Sequence, residues 1–370
     1  MSETLGNQVK VHLILGARPN QMKVAPLFKS LESNTVFKPM VIDTGQHFDV
    51  NMSAIFQNEF QMPPPYAELK IGSGSHAIQT GKIMASYEEL CGNEKPDWTI
   101  VFGDVNSTLA CSLVAAKMNI PIVHAEAGLR SWDRTMPEEI NRVLTDHSAD
   151  LLFAPTGSAV TNLLAEGISG EKVHRVGDVM LDATIYYKHR ASRPASASLK
   201  GDEPFVLCTV HRPENTDDPA RLTGIVRILN QISASVPVIL PLHPRTKAAL
   251  DRLPGVLLNS SVQLIEPLGF MEMTWLLGHC LLVLTDSGGL QKEAYFHQKP
   301  CITLRNETEW TELVQAGYNY LLSPFATNVI KVFEQMIEID IPTVNGFYGD
   351  GDAAKKIGLH IFGDDHKGES

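Results

Sequence analysis

Short apolar runs alternate along this chain with longer stretches whose apolar residues recur at three- and four-residue spacing. Val9–Leu15 is a strand-type run closed by Gly16, and Asn20–Leu31 behind it reads as a helix. Pro39–Asp43, Trp98–Phe102, Pro121–Ala125 and Leu151–Ala154 continue the series, with helical patterns at Asn106–Lys117 and Pro137–Ser148. Strands alternating with helices predict βαβ units and a parallel sheet. The runs are apolar almost throughout, as strands buried on both faces must be. A small, polar tract, Ala191–Gly201 (ASRPASASLKG), interrupts the alternation with linker chemistry. The pattern then restarts with Phe205–Val210, Val236–Pro241, Gln263–Glu266, Leu281–Thr285 and Pro300–Leu304, and Asp352–Phe362 reads as a final helix. The expectation is an α/β chain of two doubly wound, Rossmann-like domains. The first covers 1–190 and the second 204–350, joined by a linker at 191–203. The stretch 351–370 is expected to pack back on the first domain.

In such folds ligands bind beyond the carboxyl ends of the strands, and with two domains the cleft between them is the expected site. The residues after each strand therefore matter most. Gly16-Ala17-Arg18-Pro19-Asn20 puts Arg18 at a strand end beside a helix opened by proline, with Lys23 about one turn further on; both attract an anion. Asp104 and Glu126 end two strands that can neighbour one another, and Glu138 and Arg142 lie four apart on a helical face. Three carboxylates near one site are candidates for acid–base work. Asp104 could instead cap the following helix, and Glu138 or Glu139 could be first-turn charges favoured by the helix dipole. His211 and His243 also follow strands, where they could serve as caps or as functional groups. Ser287-Gly288-Gly289 at a helix start suits a pyrophosphate, and Glu293 inside that helix could accept from ribose hydroxyls. The simpler reading there is a tight turn with a serine cap.

Composition narrows the class. With 31 Lys and Arg against 42 Asp and Glu, the net charge of −11 argues against a nucleic-acid binder but leaves room for a small anion. Five scattered cysteines without a C-x-x-C pair fit a reducing compartment. No apolar run approaches a membrane span, and the N-terminus lacks the apolar core of a secretory signal, so a cytoplasmic protein without a membrane partner is expected. No His/Cys cluster has zinc spacing, and no G-x-S-x-G elbow occurs. Gly72-Ser73-Gly74-Ser75-His76-Ala77 matches G-x-G-x-x-A but does not follow the first strand, so it is not read as a nicotinamide fingerprint.

Taken in order, GARPNQMKVAPL, TGQH, GDVNSTLA, AEAGLRS, MPEEINR, HRPEN, TDSGGLQKEA and YGDG make the chain resemble the non-hydrolysing UDP-N-acetylglucosamine 2-epimerases from Gly16 to about Ala353. The resemblance implies a GT-B-type architecture, no cofactor and no metal, and a homodimer. It implies a UDP-sugar substrate, with UDP-GlcNAc and UDP-ManNAc interconverted through elimination of UDP to a 2-acetamidoglucal. By the same resemblance the catalytic set falls on Asp104, Glu126, Glu138 and His211. Substrate contacts fall on Arg18, Lys23, Arg142, Ser287, Gly288, Gly289 and Glu293, with His211 also at the diphosphate. Two departures stand out. Gln46-His47 is followed by Phe48-Asp49, where members activated by a second UDP-GlcNAc usually carry Arg and another polar residue. Asn306-Glu307-Thr308-Glu309-Trp310-Thr311-Glu312 replaces the usual Thr-Glu-Arg-Pro. The tryptophan form resembles the branch acting on UDP-2,3-diacetamido-2,3-dideoxyglucuronate, the alternative substrate. A GT-B glycosyltransferase, a nucleotide-sugar sensor and a hydrolysing epimerase are the competing classes.

Overall fold

The computed structural model describes residues 8–46, 59–201, 203–253, 255, 257–342 and 346–365. The chain divides into two compact units, 1–186 together with 346–370, and 187–345. The first unit holds a seven-stranded sheet. Its strands are β1 (Val9–Leu15), β2 (Phe37–Asp43), β3 (Ala67–Glu68), β4 (Trp98–Phe102), β5 (Ile122–Ala125), β6 (Leu151–Ala154) and β7 (Val173–Arg175). They lie in the order β3-β2-β1-β4-β5-β6-β7, and every pairing is parallel. The order reverses between β1 and β4, so the loops after these two strands diverge and leave the opening where ligands of such sheets bind.

The helices start where the sequence chemistry says they should. α1 (Arg18–Glu32) and α4 (Pro137–Ser148) each carry proline in the first turn, where its missing N–H is harmless. Between them lie α2 (His76–Glu94) and α3 (Asn106–Lys117), and α5 (Gly157–Ala165) and α6 (Val179–Tyr187) follow. Strand residues such as Leu13, Ile100 and Val123 are fully buried, because helices cover both faces of the sheet.

The second unit repeats the plan with six strands. These are β8 (Val206–Thr209), β9 (Val238–Pro241), β10 (Val262–Ile265), β11 (Leu282–Thr285), β12 (Cys301–Thr303) and β13 (Asn319–Leu321). The order is β10-β9-β8-β11-β12-β13, again all parallel, with the reversal between β8 and β11. Its helices are α7 (Pro213–Thr216), α8 (Pro219–Ile232), α9 (Pro244–Leu250), α10 (Phe270–His279), α11 (Gly288–Phe296), α12 (Thr311–Gln315) and α13 (Val329–Ile337).

The last helix, α14 (Ala353–Asp365), belongs to the first unit and packs on α1. Phe362 meets Phe37 edge-on at 6.5 Å, and Ser30 Oγ donates to the Ala354 carbonyl at 3.3 Å. Buried Asp182 accepts the Ala353 and Ala354 N–H groups at 3.2 and 2.7 Å, capping the helix start. Among the described residues no helix is long and apolar enough to cross a membrane, and no cluster of three His, Cys, Asp or Glu could hold a metal ion. The five cysteines are free and buried.

Candidate active site

The chemistry of the first unit gathers at its strand reversal. Asp104 follows β4 and Glu126 follows β5, and these strands are hydrogen-bonded neighbours. Asp104 is not a helix cap: Val105 takes that position in α3 without a side-chain bond. The Asp104 carboxylate instead pairs with Arg142 Nη2, and the Asn141 amide donates to the Asp104 carbonyl at 2.9 Å. Glu126 pairs with Lys23 from α1, and both side chains are largely buried. Gly103 makes room for that pair: a Cβ there would lie 3.1 Å from Lys23 Nζ and 3.4 Å from Glu126 Oε2, and its φ of +62° favours glycine. Glu126 itself has a φ of +72°, a conformation that costs a non-glycine residue about 1–3 kcal/mol. It is held there because the Glu126 and Ala127 N–H groups both donate to the Phe153 carbonyl at 3.1 Å.

Glu138 and Glu139 are adjacent but part ways. Glu138 lines a cavity of about 240 Å³ with Asp104, Gln46, His76 and Asn141. Glu139 is buried; it accepts from Ser131 N and Oγ at 2.9 Å and from Trp132 N at 3.1 Å, and it pairs with Arg142 Nη1 at 3.0 Å. In the sequence Glu139 reads only as a first-turn charge. The exposed polar loop that it caps carries no periodic signal by which to find it. The Gly72–Ala77 segment, set aside in the sequence, brings Ser73, Gly74 and His76 to the same cavity. Arg18 opens α1, but its side chain is outside the described residues, as are His47, Phe48 and Asp49.

In the second unit, β8 and β11 are again neighbours at the reversal. Asp286 is fully buried between them. Its carboxylate accepts His211 N at 3.0 Å, Arg212 N at 3.1 Å and Asn215 Nδ2 at 3.0 Å, so the two strand-end turns are clamped together. The His211 ring stays half-exposed, 6.0 Å from the His243 ring. Burial pushes the His211 pKa down, beyond what the Asp286 charge restores, and the neighbouring Arg212 and Arg245 guanidinium charges add to the drop. Ser287 caps α11 by accepting Leu290 N–H at 3.4 Å. The N–H groups of Gly288 and Gly289 belong to the first turn, which has no intrahelical acceptor and attracts anions. A Cβ on Gly288 would collide with the Glu309 carboxylate, and one on Gly289 would lie 3.6 Å from Glu293 Oε1. Both carboxylates therefore flank the glycine turn. Glu309 pairs with Arg305 at 3.0 Å and lies 3.9 Å from Arg212; burial opposes its ionisation, but these arginines hold its pKa below the ordinary value.

The family model for UDP-N-acetylglucosamine 2-epimerase matches residues 29–361. The chain belongs to this family. It is 44% identical to a UDP-2,3-diacetamido-2,3-dideoxy-D-glucuronate 2-epimerase of Pseudomonas aeruginosa, over 95% of this chain and 99% of that one. It is 42% identical to a UDP-N-acetylglucosamine 2-epimerase of Methanocaldococcus jannaschii, over 94% and 98%. The Neisseria meningitidis UDP-GlcNAc 2-epimerase bound to UDP-GlcNAc superposes with a TM-score of 0.86 at 31% identity, covering 96% of this chain and all of that one. The two Rossmann-like domains are those of the GT-B class, and as a member of this epimerase family the chain is an isomerase acting on sugar nucleotides.

One departure from the usual family sequence now has a place. Trp310 is buried, its indole Nε1 donates to the Gly288 carbonyl at 2.7 Å, and Lys292 lies 4.9 Å above its ring. Trp310 thus supports the Ser287–Gly289 turn from behind, and its polar handle is already used.

Proposed function

We propose that the protein inverts C2 of a UDP-2-acetamido sugar, converting UDP-GlcNAc to UDP-ManNAc. The observation that carries this reading is the set of carboxylates at the strand reversal of the first unit: Asp104 and Glu126 on adjacent strand ends and Glu138 on the wall of the Asp104 cavity. A C2 proton is not acidic, because no carbonyl is adjacent to it. A carboxylate that removes it needs simultaneous departure of the leaving group. The C2–H electron pair forms the C1=C2 bond, the C1–O bond breaks, and UDP leaves with the C1–O electron pair. A second, protonated carboxyl group then delivers its proton to the opposite face of C2, the C1=C2 electron pair forming the new C2–H bond while a UDP oxygen returns to C1. Chemistry on both faces requires more than one acid–base group, and Asp104, Glu126 and Glu138 supply it. The cavity beside Asp104 and Glu138 is smaller than the roughly 300–1,000 Å³ of drug-sized pockets and suits one ring.

The leaving diphosphate carries the developing charge. Arg18, His211 and the N–H groups at Ser287, Gly288 and Gly289 stabilise it, and Glu293 takes the ribose hydroxyls. Lys23 and Arg142 orient Glu126 and Asp104. The enzyme uses no cofactor and acts in the cytoplasm on precursors of polysaccharide. It works as a homodimer, a reading supported by exposed Ile140 and Leu144 one turn apart on α4.

A second reading takes UDP-2,3-diacetamido-2,3-dideoxyglucuronate as substrate. The 44% identical relative and the Thr308-Glu309-Trp310 segment favour it. Incubation of each UDP-sugar in deuterated water separates the outcomes. Deuterium at C2 with the 2-epimer as product is expected for the physiological substrate. Absence of exchange in both sinks the epimerase reading, and release of free sugar and UDP would make the enzyme hydrolytic.

A further inference from the structure

His124 is an imidazole in the middle of an apolar strand, Ile122-Val123-His124-Ala125, and it is fully buried. The reaction sequence above gives it no task. Its Nδ1 lies 2.6 Å from Asp146 Oδ1 and its Nε2 lies 2.8 Å from the Gly103 carbonyl. Asp146 Oδ2 accepts the Gly128 N–H at 3.2 Å and contacts Arg130 Nη1 at 2.7 Å. Arg130 closes the chain with a two-pronged contact to Glu166, both arms 2.7 Å. Burial works against the Asp146 carboxylate, yet His124 and Arg130 together hold its pKa below the ordinary value.

Burying such a chain is a poor route to stability, since well-packed apolar side chains would fill the same space without desolvating charge. Its connections suggest another purpose. Gly103 immediately precedes Asp104 at the end of β4. His124 stands two residues before Glu126 on β5. Asp146 lies two helical turns beyond Glu138 on α4. One buried hydrogen-bonded chain therefore joins the three elements that carry the three acid–base carboxylates, and it anchors Gly128 just after the left-handed backbone of Glu126.

We propose that His124 and Asp146 are positioning residues that set the relative placement of Asp104, Glu126 and Glu138. The proposal rests on the epimerase reading above. Directional bonds fix elements in a way that apolar packing does not, and a misplacement on the order of 1 Å costs roughly a hundredfold in rate.

The test compares the full-length wild-type chain with His124→Gln and Asp146→Asn. The measurements are kcat and KM for C2 epimerisation, UDP affinity by calorimetry and thermal midpoint. Both variants are expected to lose about ten- to hundredfold in kcat while UDP affinity stays within about twofold, because the nucleotide contacts proposed above, Arg18 apart, belong to the second unit. A kcat within about twofold of wild type overturns the proposal. So does a parallel fall of kcat and UDP affinity, which marks a general structural role. If His124→Gln does not fold, Asp146→Asn decides; if neither folds, the chain is part of the scaffold and the proposal fails. A wild-type chain that exchanges C2 in neither UDP-sugar overturns the epimerase reading itself, and it is therefore measured first.

Discussion

Asp104 shows what a residue's neighbours in sequence can and cannot say. An aspartate two positions before a helix is an ordinary cap candidate, and only the fold brings Arg142 from α4 to its carboxylate. Glu138 and Glu139 share one helical turn, yet one faces a cavity and the other is buried on the Ser131–Trp132 turn. The strand-end carboxylates are legible because each follows an apolar run. Glu139 and His124 are not, because the partners that give them meaning come from other elements. At this scale, Asp104→Asn and Glu126→Gln are each expected to lower C2 deuterium exchange by about 10²–10⁴-fold while UDP affinity changes less than about twofold. Exchange kinetics and calorimetry on the same preparations check this, and undiminished exchange in either variant removes that residue from the acid–base set.

Among the strands, the interior ones are readable, as is the four-residue edge strand β10, whereas the two- and three-residue edge strands are not. The apolar runs locate β1, β4 and β6, and the periodicity and opening residues locate α3 and α4 with the bounds found. The sequence pattern misses β3, β7 and β13, which are two or three residues long and lie at sheet edges. An edge strand is covered less completely, so it need not be uniformly apolar and leaves little pattern to find. The cap of α14 by Asp182 adds a pH dependence. Burial raises this carboxyl from 3.8 to about 6, against the two N–H groups that favour its ionised form. The folded chain thus holds the proton more tightly than the unfolded one. This group's contribution to stability is greatest below pH 4 and declines as pH rises through 6, by about 3 kcal/mol in total. Asp182→Asn should remove that decline. Denaturant melts of both proteins from pH 4 to 7.5 should show the variant gaining on wild type as pH rises, and a constant difference would refute the assignment.

The whole molecule is two compact units, and the chain leaves the first at residue 186 and returns to it at 346. Helix α14 covers α1 beside Phe37. Truncation after residue 345 is therefore expected to raise hydrogen exchange across α1 and β2 while the β8 and β11 amides keep their protection. Equal loss in both units would contradict the division. The acidic total of −11 conceals the local guanidinium charges of Arg212 and Arg245 at the second strand reversal. The sequence by itself determined the α/β class, the two repeats of the parallel pattern and the strand ends where chemistry could occur. It could do so because strand burial and helix starts are written in local composition. The tertiary structure alone decided which carboxylates are paired, that Trp310 supports the glycine turn from behind, and that a buried imidazole joins β4, β5 and α4. Those contacts join residues distant in sequence, and their side-chain geometry exists only after the strands have packed.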